Sequence, residues 1–164
     1  MTNHELAELK KQFTEFLILD LEGVTREEVM VNIAHFAKNE DLVKDGMILF
    51  EKFLEHERMR STVVGNGIMI PEAYGIEMTR PYAFILCRTK VRMNLYTPDK
   101  EDVRIILASL IRDKNDLSRL EPMIRLVTAL KSQRFREEFL RVKNTYDAYQ
   151  ALKRTSLKGF ERGF

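Results

Sequence analysis

Apolar side chains in the N-terminal third of the chain recur at intervals of three and four, which places them on one face of an α-helix. This spacing predicts three helices, over Glu5–Leu17, from Thr25 to about Asn39, and, after Asp45 and Gly46, from Met47 to about Arg60. The second helix has a clear start, because Thr25 stands three residues ahead of Glu28, the arrangement of a capping box. His35 lies on the apolar stripe of that helix, where we expect it to pack.

From Ser61 onward the pattern changes to short β-prone runs that are separated by glycine, proline and polar residues. Helical spacing then returns in the C-terminal third. The predicted strands and helices of this region are Val63–Val64, Ile68–Ile70, Ala83–Cys87 with Val91 beyond it, Ile105–Ile111, Leu117–Leu130, Gln133–Val142 and Thr145–Leu152. This order of helices, strands and helices predicts an α/β or α+β domain.

Length and charge narrow the possibilities further. With 164 residues and 45% hydrophobic content, the chain can bury one core, and we expect a single domain over residues 1–152. Lys153–Phe164 is a basic tail, which we expect to be disordered. The whole chain has a net charge of +2 and this tail has +3, so residues 1–152 have a net charge of −1. A nucleic-acid binder usually has a clustered basic face on its folded body, so this charge distribution argues against that class.

No segment has the pattern of a membrane span or an export signal. Apolar runs such as Ile105–Ile111 are far shorter than the roughly 20 apolar residues that a bilayer span needs, and the N-terminus mixes acidic and basic residues. Cys87 is the one cysteine, which excludes an intramolecular disulfide and a cysteine-rich metal cluster. The sequence therefore predicts a cytosolic protein, not embedded in a membrane, with no metal site and no cofactor.

One segment carries the functional signal. Residues Glu57 to Glu72, ERMRSTVVGNGIMIPE, resemble the signature RE-x-x-x-S-T-x-I-G-x-G-I-A-I-P-H of the phosphotransferase-system enzyme IIA type-2 family, the fructose, mannitol and nitrogen branch. The match keeps Ser61-Thr62, the turn Gly65-Asn66-Gly67 and Pro71 in register without a gap. Glycines in such a turn adopt backbone angles barred to other residues and can expose N–H groups to an anion.

The resemblance implies a fold and an activity. The fold is an α/β domain with a mixed β-sheet flanked by helices. In the family, the residue after the proline is a histidine that accepts a phosphoryl group from a small histidine carrier protein and passes it to a transport domain, because a neutral imidazole is a reversible acceptor. Here that position is Glu72, the arginine of the RE pair is replaced by His56, and the second site histidine falls at Arg119. The implied site around Glu72 is lined by His56, Arg60, Ser61, Thr62, Gly65, Asn66, Gly67 and Arg119.

Three interpretations of Glu72 stay open at this stage. It is a solvated loop carboxylate left after loss of activity, a fixed charge that partly mimics a phosphorylated histidine, or an acceptor that forms an acyl-phosphate. His56 is either an exposed helix histidine or a partner of Glu72.

The sequence favours a regulatory or interaction module that lacks the phospho-accepting histidine and binds a protein partner, a transporter, a kinase or a regulator, through the face around Glu72. One alternative is an active phosphoryl carrier that uses Glu72 or a displaced acceptor. Another is a sensor that binds a small anion at the Gly65–Gly67 loop, with Arg60, Arg119 or His56 as counter-charges.

Overall fold

The computed structural model describes the backbone of residues 1–161 and the side chains of residues 1–156. The chain divides into two compact units. One unit is Ile18–Leu117, which contains the sheet and two helices, and the other combines Met1–Leu17 with the chain from Ser118 onward and is mostly helical. The helices are α1 (Asn3–Gln12), α2 (Arg26–Asn39), α3 (Gly46–Met59), α4 (Leu120–Lys131), α5 (Gln133–Phe139) and α6 (Thr145–Glu161), and the strands are β1 (Phe16–Leu21), β2 (Val63–Gly65), β3 (Ile68–Met69), β4 (Glu72–Tyr74), β5 (Tyr82–Met93) and β6 (Val103–Ile111).

Strand β6 is the centre of the sheet. On one side it pairs antiparallel with β5, and on the other it pairs in parallel with β3 and then with β4. The strand order is β1-β5-β6-β3-β2, with β4 beside β6. Every residue of β6 except Arg104 is buried, which explains why Ile105–Ile111 has a continuous apolar sequence. The predicted α/β fold with a mixed sheet is confirmed.

Helices α2 and α3 pack against each other, and α3 also packs against β4. The predicted start of α2 is confirmed, because the Thr25 hydroxyl accepts the Glu28 N–H at 3.1 Å. At the start of α3, the Asp45 carboxylate accepts the Met47 N–H at 2.9 Å. His35 is exposed on α2, so the prediction that it packs in the core is wrong.

The helical unit has an aromatic core of its own. Phe135 and Phe139 are buried and stack with ring centroids 5.6 Å apart. The Tyr149 hydroxyl donates to the Thr14 carbonyl oxygen at 2.7 Å, and burial raises the pKa of this phenol. The segment around Tyr149, which the sequence placed in a closing helix, is therefore fastened to the residues that follow α1.

The first helix is shorter than the spacing of its apolar residues predicts. It ends at Gln12, and Phe16 and Leu17 belong to β1 instead. The Phe16 N–H donates to the Thr14 hydroxyl at 3.1 Å, a local bond that competes with continued helix. The prediction of a longer helix is wrong because Phe16 and Leu17 continue the helical spacing by chance, although they lie in the strand.

Two other elements are longer than predicted. Strand β5 extends beyond Cys87 to Met93, because its pairing with β6 continues at Arg88 and, after an irregular stretch, resumes between Met93 and Val103. Helix α6 extends beyond Leu152 to Glu161, where disorder was expected, and the Lys153 ammonium donates to the Glu5 carboxylate at 2.6 Å. The side chain of Phe160, and Arg162 and Phe164 altogether, lie outside the described residues.

The turn between β2 and β3 requires glycine. Gly65, Asn66 and Gly67 all have positive φ, at 91°, 56° and 74°. The Gly67 carbonyl oxygen accepts the N–H groups of Arg104 and Ile105 at 3.0 and 3.1 Å, which draws the turn against the start of β6. A Cβ atom at Gly67 would lie 2.9 Å from the Asp102 carbonyl oxygen. Position 67 therefore needs glycine for space as well as for its backbone angle.

Gly67→Ala should destabilise the protein more than Gly75→Ala does. Both glycines have φ near the same positive value, but a Cβ atom at Gly75 has nothing within 4 Å. We expect the free energy of unfolding, measured by urea denaturation, to fall by about 1–3 kcal/mol more in Gly67→Ala. Equal losses in the two variants would show that the contact with Asp102 carries no cost.

Candidate functional site

Glu72 lies in the sheet, as the first residue of β4, opposite Ser109 of β6. The Pro71 carbonyl oxygen accepts the Ser109 N–H at 2.9 Å, which fixes the backbone immediately before Glu72. Its side chain is 31% exposed. Glu72 therefore lies in a short parallel strand and not in a loop, as the first interpretation of this carboxylate expected.

The carboxylate of Glu72 belongs to a small polar network with His56 and Tyr74. The Tyr74 hydroxyl donates to Glu72 Oε2 at 2.6 Å, and His56 Nε2 lies 3.5 Å from the same oxygen. The His56 and Tyr74 rings are tilted against each other, with centroids 5.9 Å apart. The His56 side chain is 24% exposed, and its Nδ1 is buried with no hydrogen-bond partner among the described residues. The structure therefore supports the interpretation of His56 as a partner of Glu72.

Glu57, the next residue of α3, anchors this arrangement. Glu57 Oε2 accepts both the Thr62 N–H at 3.2 Å and the Thr62 hydroxyl at 2.5 Å. Its other oxygen lies 3.3 Å from Arg26 Nη1, and the Glu57 side chain is only 11% exposed. Hydrogen bonds to a charged acceptor are stronger than those between neutral groups. The bond to Thr62 therefore holds the chain that leads to β2 against the last turn of α3, where His56 also lies.

The glycine turn and Glu72 lie at separate places on the sheet. The residue after Gly67 pairs with Ile105, whereas Glu72 pairs with Ser109, four residues further along β6 or about 13 Å. The Asn66 N–H donates to the Asp99 carboxylate at 2.8 Å, a bond that lowers the pKa of Asp99. An internal carboxylate thus occupies the turn amide that a small anion would use, which argues against the anion sensor.

The remaining predicted site residues fall into two groups. Thr62 is buried, and Arg60 and Ser61 are exposed directly after α3. Arg119 belongs to the helical unit, at the end of the short 3-10 turn Leu117–Arg119, and is partly buried there. Thr62 is thus a structural residue, while Arg60 and Ser61 are open to solvent.

Sequence reasoning missed three residues that shape the site. Tyr74 could have been found, because it lies two positions after Glu72, and alternation in a strand puts both on one face. Arg26 and Asp99 gave no signal, because each is more than thirty positions from the residue that it contacts along the chain. Glu57 is part of the matched signature, but its attachment to Thr62 was not foreseen.

Among the described residues, no helix is both long enough and apolar enough to cross a bilayer. No three histidine, cysteine, aspartate or glutamate side chains in that part of the chain are grouped so that they could hold a metal ion.

Comparison with known families decides what kind of domain this is. The model of the family described as "Phosphoenolpyruvate-dependent sugar phosphotransferase system, EIIA 2" matches residues 12–155. The chain belongs to this family. The match extends through the sheet unit and most of the helical unit of the type-2 enzyme IIA domain. No curated protein sequence matches the chain.

Solved structures of type-2 enzyme IIA proteins have the same fold. The nitrogen regulatory protein IIA-Ntr of Neisseria meningitidis is 21% identical, with a TM-score of 0.70 over 83% of this chain and 92% of its own. A putative phosphotransferase-system IIA domain of Streptococcus pyogenes is 13% identical, with a TM-score of 0.72 over 95% and 99%. The mannitol IIA of Escherichia coli is 13% identical, with a TM-score of 0.67 over 83% and 94%. At these identities the likeness establishes the fold alone.

Thr62→Val tests the anchor of the site. Valine keeps the shape of threonine but removes the hydroxyl that donates to Glu57 at 2.5 Å. We expect the free energy of unfolding to fall by about 1.5–3 kcal/mol, the contribution of a hydrogen bond to a charged group. Thr128→Val, at an exposed position of α4, is the control and should change stability little. A loss no larger than the control's would mean that the bond contributes nothing.

Proposed function

We propose that this type-2 enzyme IIA domain works by binding a protein partner through the face around Glu72 and does not carry phosphoryl groups. In the family signature, histidine accepts the phosphoryl group, and Glu72 stands at that position here. The partner would be a transporter, a kinase or a regulator, and the lone, buried Cys87 fits a cytosolic location. The domain is then a regulatory member of the phosphotransferase system.

The network around Glu72 carries this proposal. One of its two oxygens, Oε2, accepts the Tyr74 hydroxyl at 2.6 Å and lies 3.5 Å from His56 Nε2, so this oxygen already has partners within the protein. An acceptor oxygen must point its lone pair at the incoming phosphorus, and a second anion repels that group unless fixed cations stand nearby. His56 occupies the place of the signature's arginine, and an imidazole holds phosphate less firmly than a guanidinium fork does. The site is thus better suited to presenting a charge than to transferring one.

A fixed carboxylate resembles one state of the original site. Phosphorylation adds about −1.5 to −2 of charge near neutral pH, and Glu72 supplies part of that charge permanently. A partner that recognises the phosphorylated form would then meet a surface held in one state. The mannitol IIA of Escherichia coli has been solved in complex with phosphorylated enzyme IIB, which shows that one protein of this fold assembles with a protein partner.

Phosphoryl transfer should be absent. The protein is incubated with a phosphorylated histidine carrier and examined by intact-mass measurement, and we expect no phosphoryl adduct. Glu72→His paired with His56→Arg is the informative comparison, because it restores the imidazole and a fixed cation together. Acid-labile phosphate on His56 or His35, or an adduct on Glu72, would overturn the proposal and favour the phosphoryl carrier.

Glu72→Ala should weaken the complex with the partner while leaving the fold intact. A paired interface carboxylate contributes about 1–3 kcal/mol to a complex, and Glu72 is partly open to solvent, so its loss should change the melting temperature little. The partner is first identified by cross-linking through this face. Its affinity for the wild-type protein and for Glu72→Ala is then measured by calorimetry. Glu77→Ala is the control, since that carboxylate is 77% exposed and pairs with Lys44 at 2.9 Å. Unchanged affinity in Glu72→Ala would contradict the proposed binding face.

A further inference from the structure

The chain that leaves α3 presents an exposed patch of mixed character. Two of its side chains are apolar and unusually open to solvent, Met59 at 79% and Val64 at 58%. The other two are the exposed arginines Arg58 and Arg60, which flank Met59. We call these four residues the α3 exit patch. Isolated apolar residues are common on surfaces, but arginine and methionine side by side are typical of the centres of protein interfaces.

The α3 exit patch is continuous with the network around Glu72. His56 and Met59 are three residues apart on α3, so they lie on the same face of the helix. Helix α3 packs against β4, the strand of Glu72. The two bonds from Thr62 to Glu57 hold Thr62 against the last turn of α3, and Val64 follows two residues later, in β2. A partner that covers His56 and Glu72 therefore also meets the α3 exit patch.

The carboxylates of this face and its exposed arginines differ in whether they have partners. Glu55 lies 3.6 Å from the Lys52 ammonium, Glu57 is held by Arg26 and Thr62, and Glu72 lies beside His56 and Tyr74. Arg58 and Arg60 have no ion pair and no side-chain hydrogen bond within the part of the chain that the structure describes. The two guanidinium groups thus keep their full capacity for an external anion.

We propose that the α3 exit patch binds an acidic segment of the protein partner, in which an apolar side chain lies between carboxylates. Each arginine can bind a carboxylate through two parallel hydrogen bonds, and Met59 with Val64 offers an adaptable apolar contact. A nucleic-acid backbone fits less well, because its phosphates give the apolar pair nothing to bury and residues 1–152 carry −1 overall. This inference rests on the proposed function for the location of the partner face, and it adds the partner's chemistry.

A synthetic peptide tests the charge preference directly. Leucine is placed between runs of aspartate and glutamate, and a matched peptide has lysine in place of every acid. In amide NMR titrations, we expect the acidic peptide to shift residues 58–64, with affinity that falls as salt is raised, and the lysine peptide to shift none of them. No shift at residues 58–64 with the acidic peptide would overturn the proposal.

Charge-neutralising variants separate the patch from general electrostatics. Arg58→Gln with Arg60→Gln should weaken the acidic peptide about tenfold or more, since hot-spot arginines dominate such contacts. Arg92→Gln with Arg141→Gln removes the same charge from exposed positions outside the patch and should change the affinity far less. Equal weakening by the two pairs would mean that net charge alone, and no patch, attracts the peptide.

Photo-cross-linking identifies the natural segment. p-Benzoylphenylalanine replaces Met59 in cells, with Ile124, 61% exposed on α4, as the control position. We expect an adduct from position 59 whose cross-linked segment is rich in aspartate and glutamate, and a basic or neutral segment, or a nucleic acid, would overturn the proposal. If Glu72→Ala abolishes binding of the natural partner but the Arg58 and Arg60 changes do not, the role of the α3 exit patch is refuted and the proposed function stands. Phosphoryl transfer to Glu72 refutes the proposed function alone.

Discussion

The carboxylate of Glu57 fixes the geometry on which the candidate site depends. It is nearly buried, it lies 3.3 Å from Arg26 near the start of α2, and it accepts two hydrogen bonds from Thr62 beyond the end of α3. A buried carboxylate without such partners would be costly, so the three residues hold one another in place. Glu57 follows His56 directly, so these contacts fix the last turn of α3, the turn that carries His56.

Structural and chemical roles separate within the matched segment. Thr62 bonds Glu57, Gly67 gives β2 and β3 close access to β6, and Pro71 accepts a hydrogen bond from Ser109. These residues build the framework of a type-2 enzyme IIA domain and would do so whatever the chemistry. Glu72 and His56, the two positions to which the resemblance assigns phosphate chemistry, lie 3.5 Å apart here and partner each other. A fold does not by itself fix the function of the residues that it positions.

The electrostatic character of the face follows from which charges are already paired. Three carboxylates, Glu55, Glu57 and Glu72, have partners on this surface, whereas the exposed arginines Arg58 and Arg60 have none among the described residues. Net charge alone would have hidden this, because residues 1–152 carry only −1. What a partner meets depends on the unpaired groups, since paired charges are already largely satisfied by their neighbours.

By itself, the sequence determined the elements whose signals are local and the family to which the chain belongs. The Thr25 cap, the bounds of α2 and α3 and the buried run of β6 all follow from residues within a few positions of one another. The end of α1, the polar half of β5, the strand that carries Glu72 and the extension of α6 did not, because pairing with distant segments decides them. The same reason applies to the site. His56 and Glu72 were both found in the sequence, but only the packing of α3 on β4 brings their side chains together, and only the fold shows that Asp99 occupies the glycine turn. Hydrophobic periodicity and helix caps depend on residues that are close in the sequence, so the sequence alone reveals them. Contacts between distant segments form only when the chain folds, so the sequence alone does not reveal them.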